Sequence, residues 1–589
     1  MRLSLRWTVA GLAATGMVPG VVAAEASVEA PAFVNDFRYD RGAYGHQPLQ
    51  VFRSTELTAP MFNFVKSSRS CDKSLYTLMT PRGGATEQAK AAIYNSQGQL
   101  IWAAPWHGQQ LYNLMVQTYK GEKYLTFWAG NDAVGGHGAG FYYMLDKHYN
   151  LYKNITAANG LDGDLHDFRI TENGTAMLVV YAIVDKDLSA LGKGVGPVWD
   201  CLIQEIDLET GESVFEWRAT DHLAITDTYR EIGGEGEGTT AFDWFHMNSI
   251  EKDHLGNYLI SARYTHSQTY IDGRSGEVLW IMGGKRNMFR NVSNDLPLES
   301  SIDFAYQHDA RWQDNGKVIT LFDNGNDNAH TDRAATRGLR LRVDQQAMTV
   351  QVEREFVNPH HITSVSQGSM QTLPNGNVLL GYGNTPAFTE FAPDGTPLCD
   401  VHFAPERRFG SGDVQSYRVY KAAWQGWPAS KPDAVVAQDS DEAADGDGQL
   451  RLWVSWNGAT EVASWELQGA GRLDAKDDAD WRRLDAADKT SFETGFPLKV
   501  TYPRCVRVVA LDKKGKVLGR SDPLELRPEE AESGSDVSFT NAKVVVSRDL
   551  SGIHFLLLIG GVIVLSMVWR LARRSQIRSV HFFQKGVLV

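Results

Sequence analysis

The chain has 589 residues, too many for one small domain and, at about 150 residues per unit, enough for up to four. Its composition is 43% hydrophobic and 22% charged, which excludes a disordered chain. Asp plus Glu exceed Lys plus Arg by 71 to 58 for a net charge of −13, which argues against nucleic acid as the main partner, since such binders need a concentrated basic face. The 55 glycines and 11% aromatic residues suit many short strands joined by tight turns. Four cysteines are too few for a disulfide-built fold.

The first 24 residues read as a secretory signal peptide: Arg2 and Arg6, an apolar stretch from Trp7 to Val18, and a small-residue cleavage site at Val22-Ala-Ala24. From residue 35 to 428 a repeat predicts a β-propeller. Each unit opens on a strand, turns at Asn or Asp with Gly, and returns. His246-Met-Asn248 through Arg263, His308 through Phe322, His166 through Val180 and Ser369 through Leu380 all follow this scheme. A second phrase closes each unit, as in Ile206-Asp-Leu-Glu-Thr-Gly211 running on to Trp217 and Ile271-Asp-Gly-Arg-Ser-Gly276 running on to Trp280. Two strands around a Gly turn form a hairpin, and two hairpins form a four-stranded blade. Openings near Tyr76, Tyr112, His166, His246, His308 and Ser369 give six blades, and radial closure protects their edges.

Residues 429–449 predict an acidic linker. Residues 450–526 predict a small β-sandwich like fibronectin type III, beginning at Leu450-Arg-Leu-Trp-Val-Ser-Trp456. Residues 527–552 read as a stalk, 553–572 as a transmembrane helix and 573–589 as a basic cytosolic tail. The expected fold class is thus all-β, a six-bladed propeller followed by a sandwich and one membrane helix. The layout is single-pass type I, with the bulk luminal or extracellular. Cys71, Cys201, Cys399 and Cys505 allow three pairings, and three sequons begin at Asn154, Asn173 and Asn291.

The innermost strand of each blade lines the propeller channel, so residues at one repeat phase form a ring. His166, His246 and His308 share that phase. Asn248 follows His246 by two and is expected on the same face, and Arg263 returns beside it on the next strand. Three imidazoles, an amide and a guanidinium are expected to converge. Asp167 and Asp309 each follow a His and should point to the opposite face, holding loops rather than a metal. No Cys/His ligand spacing, phosphate loop, dinucleotide fingerprint or GxSxG turn occurs, so no metal and no cofactor are expected. His360 and His361 fall in a loop, and His107, His222, His266 and His330 share no phase.

Asp243-Trp-Phe-His246-Met-Asn248, Ser261-Ala-Arg263 and Gln307-His308-Asp-Ala-Arg-Trp312 resemble the arylsulfotransferase family over residues 35–425, and its large fungal branch most closely. The resemblance implies a six-bladed propeller that moves a sulfuryl group from an aryl sulfate donor to a phenolic acceptor without a nucleotide. It implies that His308 is the nucleophile, transiently sulfated. His246, Asn248 and Arg263 would bind the sulfate oxygens, and His166 would take or give the proton. The alternative is a non-catalytic propeller receptor on a stalk. A third reading, an oxidoreductase using a quinone or a metal, requires a bound cofactor.

Overall fold

The computed structural model describes residues 32–526 except 87–88, 106–109, 294–302, 328–334, 439–449, 476 and 500. The expected signal peptide, stalk, membrane helix and basic tail lie outside these residues. Among the described residues no helix is long and apolar enough to cross a membrane.

Among the described residues between 32 and 422, six mainly antiparallel sheets of four to six strands follow one another along the chain. Their innermost strands are β1 (Gln110–Tyr119), β2 (Phe168–Ile170), β3 (Met247–Lys252), β4 (His308–Gln313), β5 (Ser369–Thr372) and β6 (Val419–Ala422). Each touches the next, and β6 touches β1, so the sheets close a propeller-like ring. Closure is made by the late strand β6, which pairs with Tyr76–Met79, Val419 opposite Met79. Tyr76, expected to open the first unit, therefore begins a second strand rather than an innermost one. The last sheet is likewise completed from the other end of the chain: Phe62–Lys66 pairs with Pro397–His402. The Cys71–Cys399 disulfide fastens the same junction, while Cys201 and Cys505 are buried thiols.

The repeated phrases have local physical causes. In the closing phrase the Asp carboxylate caps its own turn. Asp207 Oδ1 accepts from the Glu209 and Thr210 amides, and Asp272 Oδ1 accepts from Arg274 and Ser275. Gly211 and Gly276 then take positive φ, 75° and 76°, a conformation that costs glycine little. The Trp that ends the phrase is buried and reaches the neighbouring sheet: Trp217 Nε1 donates to the Gly276 carbonyl and Trp280 Nε1 to Gln345 Oε1. Alternating apolar residues on both faces of each sheet fill the gaps between neighbours. One cluster joins Tyr112 and Trp128 to Phe168 and Leu178, and the next joins Val179 and Ile203 to Ile250 and Ile260.

Residues 433–525 form two further sheets, one from Asp433–Gln438, Leu450–Ser455 and Glu493–Pro497, the other built around Ser464–Ala470 and Cys505–Leu511. Part of the expected acidic linker is thus a strand. Ala434-Val-Val436 supplies apolar, β-branched residues that pair with Val454 to Leu452. This part is docked on the ring. Asn457 exchanges two hydrogen bonds with Ala103, at 2.9 and 2.8 Å, and the Glu493 carboxylate accepts from the Arg53 and Ser54 amides.

Candidate active site

Three of the five predicted site residues stand just before or at the start of innermost strands. His166 precedes β2, His246 precedes β3 and His308 begins β4. Arg263 follows the strand Tyr258–Ala262, and its amide donates to the His246 carbonyl at 3.0 Å, so the hairpin brings it back beside that histidine. His166, His246, His308 and Arg263 all line one cavity of about 320 Å³. The rings of His166 and His246 lie 4.8 Å apart, and the Tyr417 ring lies 5.7 Å from His166 and 6.4 Å from His308.

Asn248 does not line this cavity. His246 has φ of +58°, and a bulge interrupts pairing between Met247 and Ser249, so simple alternation fails there. The Asn248 side chain is fully buried and donates from Nδ2 to the Gln307 carbonyl at 2.7 Å. It holds the residue before His308 instead of facing the cavity. His360 and His361 are exposed, and His107 and His330 lie outside the described residues.

The hydrogen bonds assign a tautomer to each cavity imidazole. Asn324 donates from Nδ2 to the Ser364 and Gln367 carbonyls, so its Oδ1 accepts from His308 Nδ1 at 2.8 Å. The His308 Nε2 lone pair is then free to accept the Gln367 amide at 3.2 Å. His166 Nδ1 donates to Asp164 at 2.6 Å, and His246 Nδ1 to Asp243 at 2.5 Å. In each ring Nδ1 is held; Nε2 of His166 and His246 is left for the cavity, while Nε2 of His308 already accepts the Gln367 amide.

Electrostatics follow from burial. Desolvation pushes the His308 pKa well below its usual value, and Arg263 pushes it further. Burial likewise takes His246 down to about 3, against the pull of Asp243. Burial alone would raise Asp164, but His166, His137 and the Gly138 amide outweigh it and hold the carboxylate ionised. The cavity lining also includes Arg82, Asp132 and Tyr417. Arg263 Nη2 donates to the Val365 carbonyl, while its Nε and the Tyr417 hydroxyl are buried without hydrogen-bond partners. Two guanidiniums, one carboxylate and the imidazoles of His246 and His308, held neutral by burial, make a site suited to a small anion.

Sequence reasoning missed several of these groups. His137 begins the third strand of its sheet, His137–Leu145, out of phase with the other histidines, yet its ring lies 5.1 Å from His246. Asp164 and Asp243 stand two and three residues before their histidines, a spacing that was available as a signal. His137 forms two overlapping groups, with Asp164 and His166 and with Asp243 and His246, whose ligand-type atoms all lie within 4.8 Å of one another. The Asp residues that follow the histidines act elsewhere, but they tie innermost strands together rather than holding loops. Asp167 accepts from the Ile250 amide of β3 and Asp309 from the Met370 amide of β5.

A family model described as arylsulfotransferase (ASST) matches residues 115–404. No curated protein matches the chain. Among solved structures it is similar to a protein of unknown function from Bacteroides caccae, with 15% identity and a TM-score of 0.34, covering 59% of this chain and 98% of that one. The Cps50 (Swd1) β-propeller domain from Myceliophteria thermophila is 9% identical with a TM-score of 0.29, covering 65% and 94%. Saccharomyces cerevisiae Sqt1 is 11% identical with a TM-score of 0.28, covering 68% and 82%.

Proposed function

Because residues 115–404 match the arylsulfotransferase family model, we propose that the chain is an arylsulfotransferase that moves a sulfuryl group from an aryl sulfate donor to a phenolic acceptor through a transiently sulfated His308. The observation that carries this reading is the convergence of His166, His246, His308 and Arg263 on one cavity. We read the ring of six sheets as a six-bladed propeller and the two following sheets as a fibronectin III-like sandwich.

The chemistry follows from the tautomers. His308 Nε2 gives up its hydrogen bond from the Gln367 amide and attacks the sulfur, an N–S bond forms, and the aryl S–O bond breaks. Sulfuryl transfer resembles phosphoryl transfer in its loose transition state, with charge on the peripheral oxygens, so positioning and electrostatics dominate. Arg263 has an unpartnered Nε for those oxygens, and His246 and Tyr417 stand beside it on the cavity wall. In the second half-reaction His166 Nε2 takes the proton of the acceptor phenol as its oxygen attacks the sulfur and the N–S bond breaks. Asp164 stabilises the imidazolium that results. That proton is given to the next departing phenolate, so the cycle balances. Asn248 acts as a positioning residue through the Gln307 carbonyl.

A type I single-pass layout with a luminal or extracellular ring is part of the same proposal. It is supported by the apolar stretch Ile553 to Trp569 with its basic sequel, by the Cys71–Cys399 disulfide and by exposed asparagines at all three sequons.

Initial rates with a chromogenic aryl sulfate and a phenol, each varied against the other, test the two-step exchange. Parallel double-reciprocal lines are expected. Intersecting lines would replace the sulfated enzyme with direct transfer in a ternary complex, and absence of any turnover would favour a binding protein.

A further inference from the structure

We propose that His137, Asp243 and His246 form a binding site for one divalent transition-metal ion of the zinc class. The three residues come from the strand His137–Leu145 and the turn that leads into β3, and all are buried. Their ligand-type atoms lie within 4.8 Å of one another. His137 Nε2 is 3.3 Å from Asp243 Oδ2, close to the roughly 3.3 Å edge of a tetrahedron with bonds of about 2.0–2.1 Å, whereas His246 Nδ1 and Asp243 Oδ2, 2.5 Å apart, must separate to admit the ion.

Two features separate this group from a satisfied structural cluster. His137 is 1% exposed, yet its Nδ1 has no hydrogen-bond partner and its Nε2 faces only Asp243 Oδ2 at 3.3 Å, and Asp243 Oδ1 is also buried without a partner. Buried polar atoms in native proteins are nearly always paired, and an imidazole beside a carboxylate with spare lone pairs on both is a ligand set in waiting. The overlapping group with Asp164 lacks this character. Asp164 Oδ1 accepts from the Gly138 amide at 2.7 Å, and Oδ2 accepts from the His166 amide and Nδ1 at 2.8 and 2.6 Å. Asp164 is saturated, so the ion belongs on the Asp243 side.

The ion would take the place of the proton between His246 and Asp243. The His246 Nδ1–H bond breaks, a metal–nitrogen bond forms, and the proton leaves to solvent. His246 Nε2 stays directed to the cavity in either state, so an ion here holds the histidine as the carboxylate does. The inference needs no step of the sulfuryl-transfer reading.

The test uses the full chain in detergent, stripped with chelator, dialysed against Zn²⁺ or Co²⁺ and passed over a desalting column. Elemental analysis should find about one equivalent of metal, and the cobalt form should show the visible absorption of a four-coordinate N/O site. His137→Ala and Asp243→Asn should weaken binding by about 100-fold or more, and Asp164→Asn should retain it. If His137→Ala does not fold, His137→Gln serves in its place, with the melting temperature checked for each variant. Metal-free wild type, unchanged binding in His137→Ala, or loss confined to Asp164→Asn would each overturn the site. His308→Ala should keep the ion while losing sulfuryl transfer, so failure of the metal site and failure of the proposed reaction read out separately.

Discussion

Two clusters of polar residues occupy the inside of the ring one residue apart in the chain, and they are built on opposite plans. On one side His166 and His308 face the cavity. On the other, Asp167 and Asp309 turn into a buried ionic hub. There Arg418 donates to Asp167 Oδ1 at 2.8 Å and to the Asn248 carbonyl. Arg311 donates to Asp167, Asp309 and the Ile250 carbonyl, and the Tyr420 hydroxyl donates to Asp309. Every carboxylate oxygen of that pair is occupied. In the cavity Arg263 Nε and the Tyr417 hydroxyl are without partners. Arg418 Nε in the hub is likewise buried without a hydrogen-bond partner, so the contrast lies in the carboxylates: those of the hub are fully engaged by cations and amides that hold the strands together.

The sharpest way to break this contrast is to remove one residue from each plan. His308→Ala should cut sulfuryl transfer by about a thousandfold or more and cost only about 1–3 kcal/mol of stability, because it leaves the buried Asn324 Oδ1 without its donor. Arg418→Met should do the reverse in kind. Leaving Asp167 buried and short of a cation costs about 3–5 kcal/mol of stability, measured by urea unfolding, and activity should fall only as the folded fraction falls. A stability loss in His308→Ala equal to that in Arg418→Met would erase the distinction.

Arg263→Gln probes the cavity further. Loss of its guanidinium should reduce kcat/KM by about 10²–10³, or roughly 2.7–4 kcal/mol of transition-state stabilisation. Arg263 also depresses His308, so the variant's acid limb in a pH–rate profile should move to higher pH, with the sign set by removal of a positive neighbour. An unshifted limb would mean that burial alone keeps His308 neutral.

These variants also mark what the sequence could reveal. Repeat phase located His166, His246 and His308, because strands at the same place in successive units must line the same axis, and hairpin return located Arg263. It misplaced Asn248, since strict alternation assumes extended backbone and His246 adopts φ of +58°. It also placed Tyr76 on an innermost strand, because pairing with β6, more than three hundred residues away, leaves no local periodicity. His137 reaches the centre from outside the repeat phase, whereas Tyr417 stands two residues before β6 as His166 stands before β2 and was missed because β6 is a late closing strand. The two carboxylates that orient His166 and His246 were legible in principle from the spacing Asp164-Leu-His166 and Asp243-Trp-Phe-His246.

Asn248→Ala sharpens the comparison at its boundary, because the residue was expected in the cavity and sits in the packed side. Leaving the Gln307 carbonyl short of a donor should cost about 1–3 kcal/mol of stability and reduce transfer by less than about tenfold. A hundredfold rise in KM with stability intact would return Asn248 to the sulfate.

The smallest effect is the pH dependence of the hub. Burial would raise Asp167, but Arg311, Arg418 and Arg169 hold it well below the ordinary 3.8. A depressed carboxylate contributes stability that is present above its unfolded pKa and is lost as pH falls through that value toward the folded one. The wild-type urea midpoint should therefore decline below about pH 5, and Asp167→Asn should be less stable at neutral pH with a flatter decline. Parallel curves would contradict the assignment.

The most direct measurement concerns the proposed nucleophile, His308. The protein is mixed with an aryl sulfate in the absence of a phenolic acceptor, digested at alkaline pH and mapped by mass spectrometry. The peptide containing His308 should carry one sulfuryl group, absent from His308→Ala and discharged when phenol is added. A donor that turns over while this peptide stays unmodified, or a sulfuryl group found on His166 or His246 instead, would contradict the account.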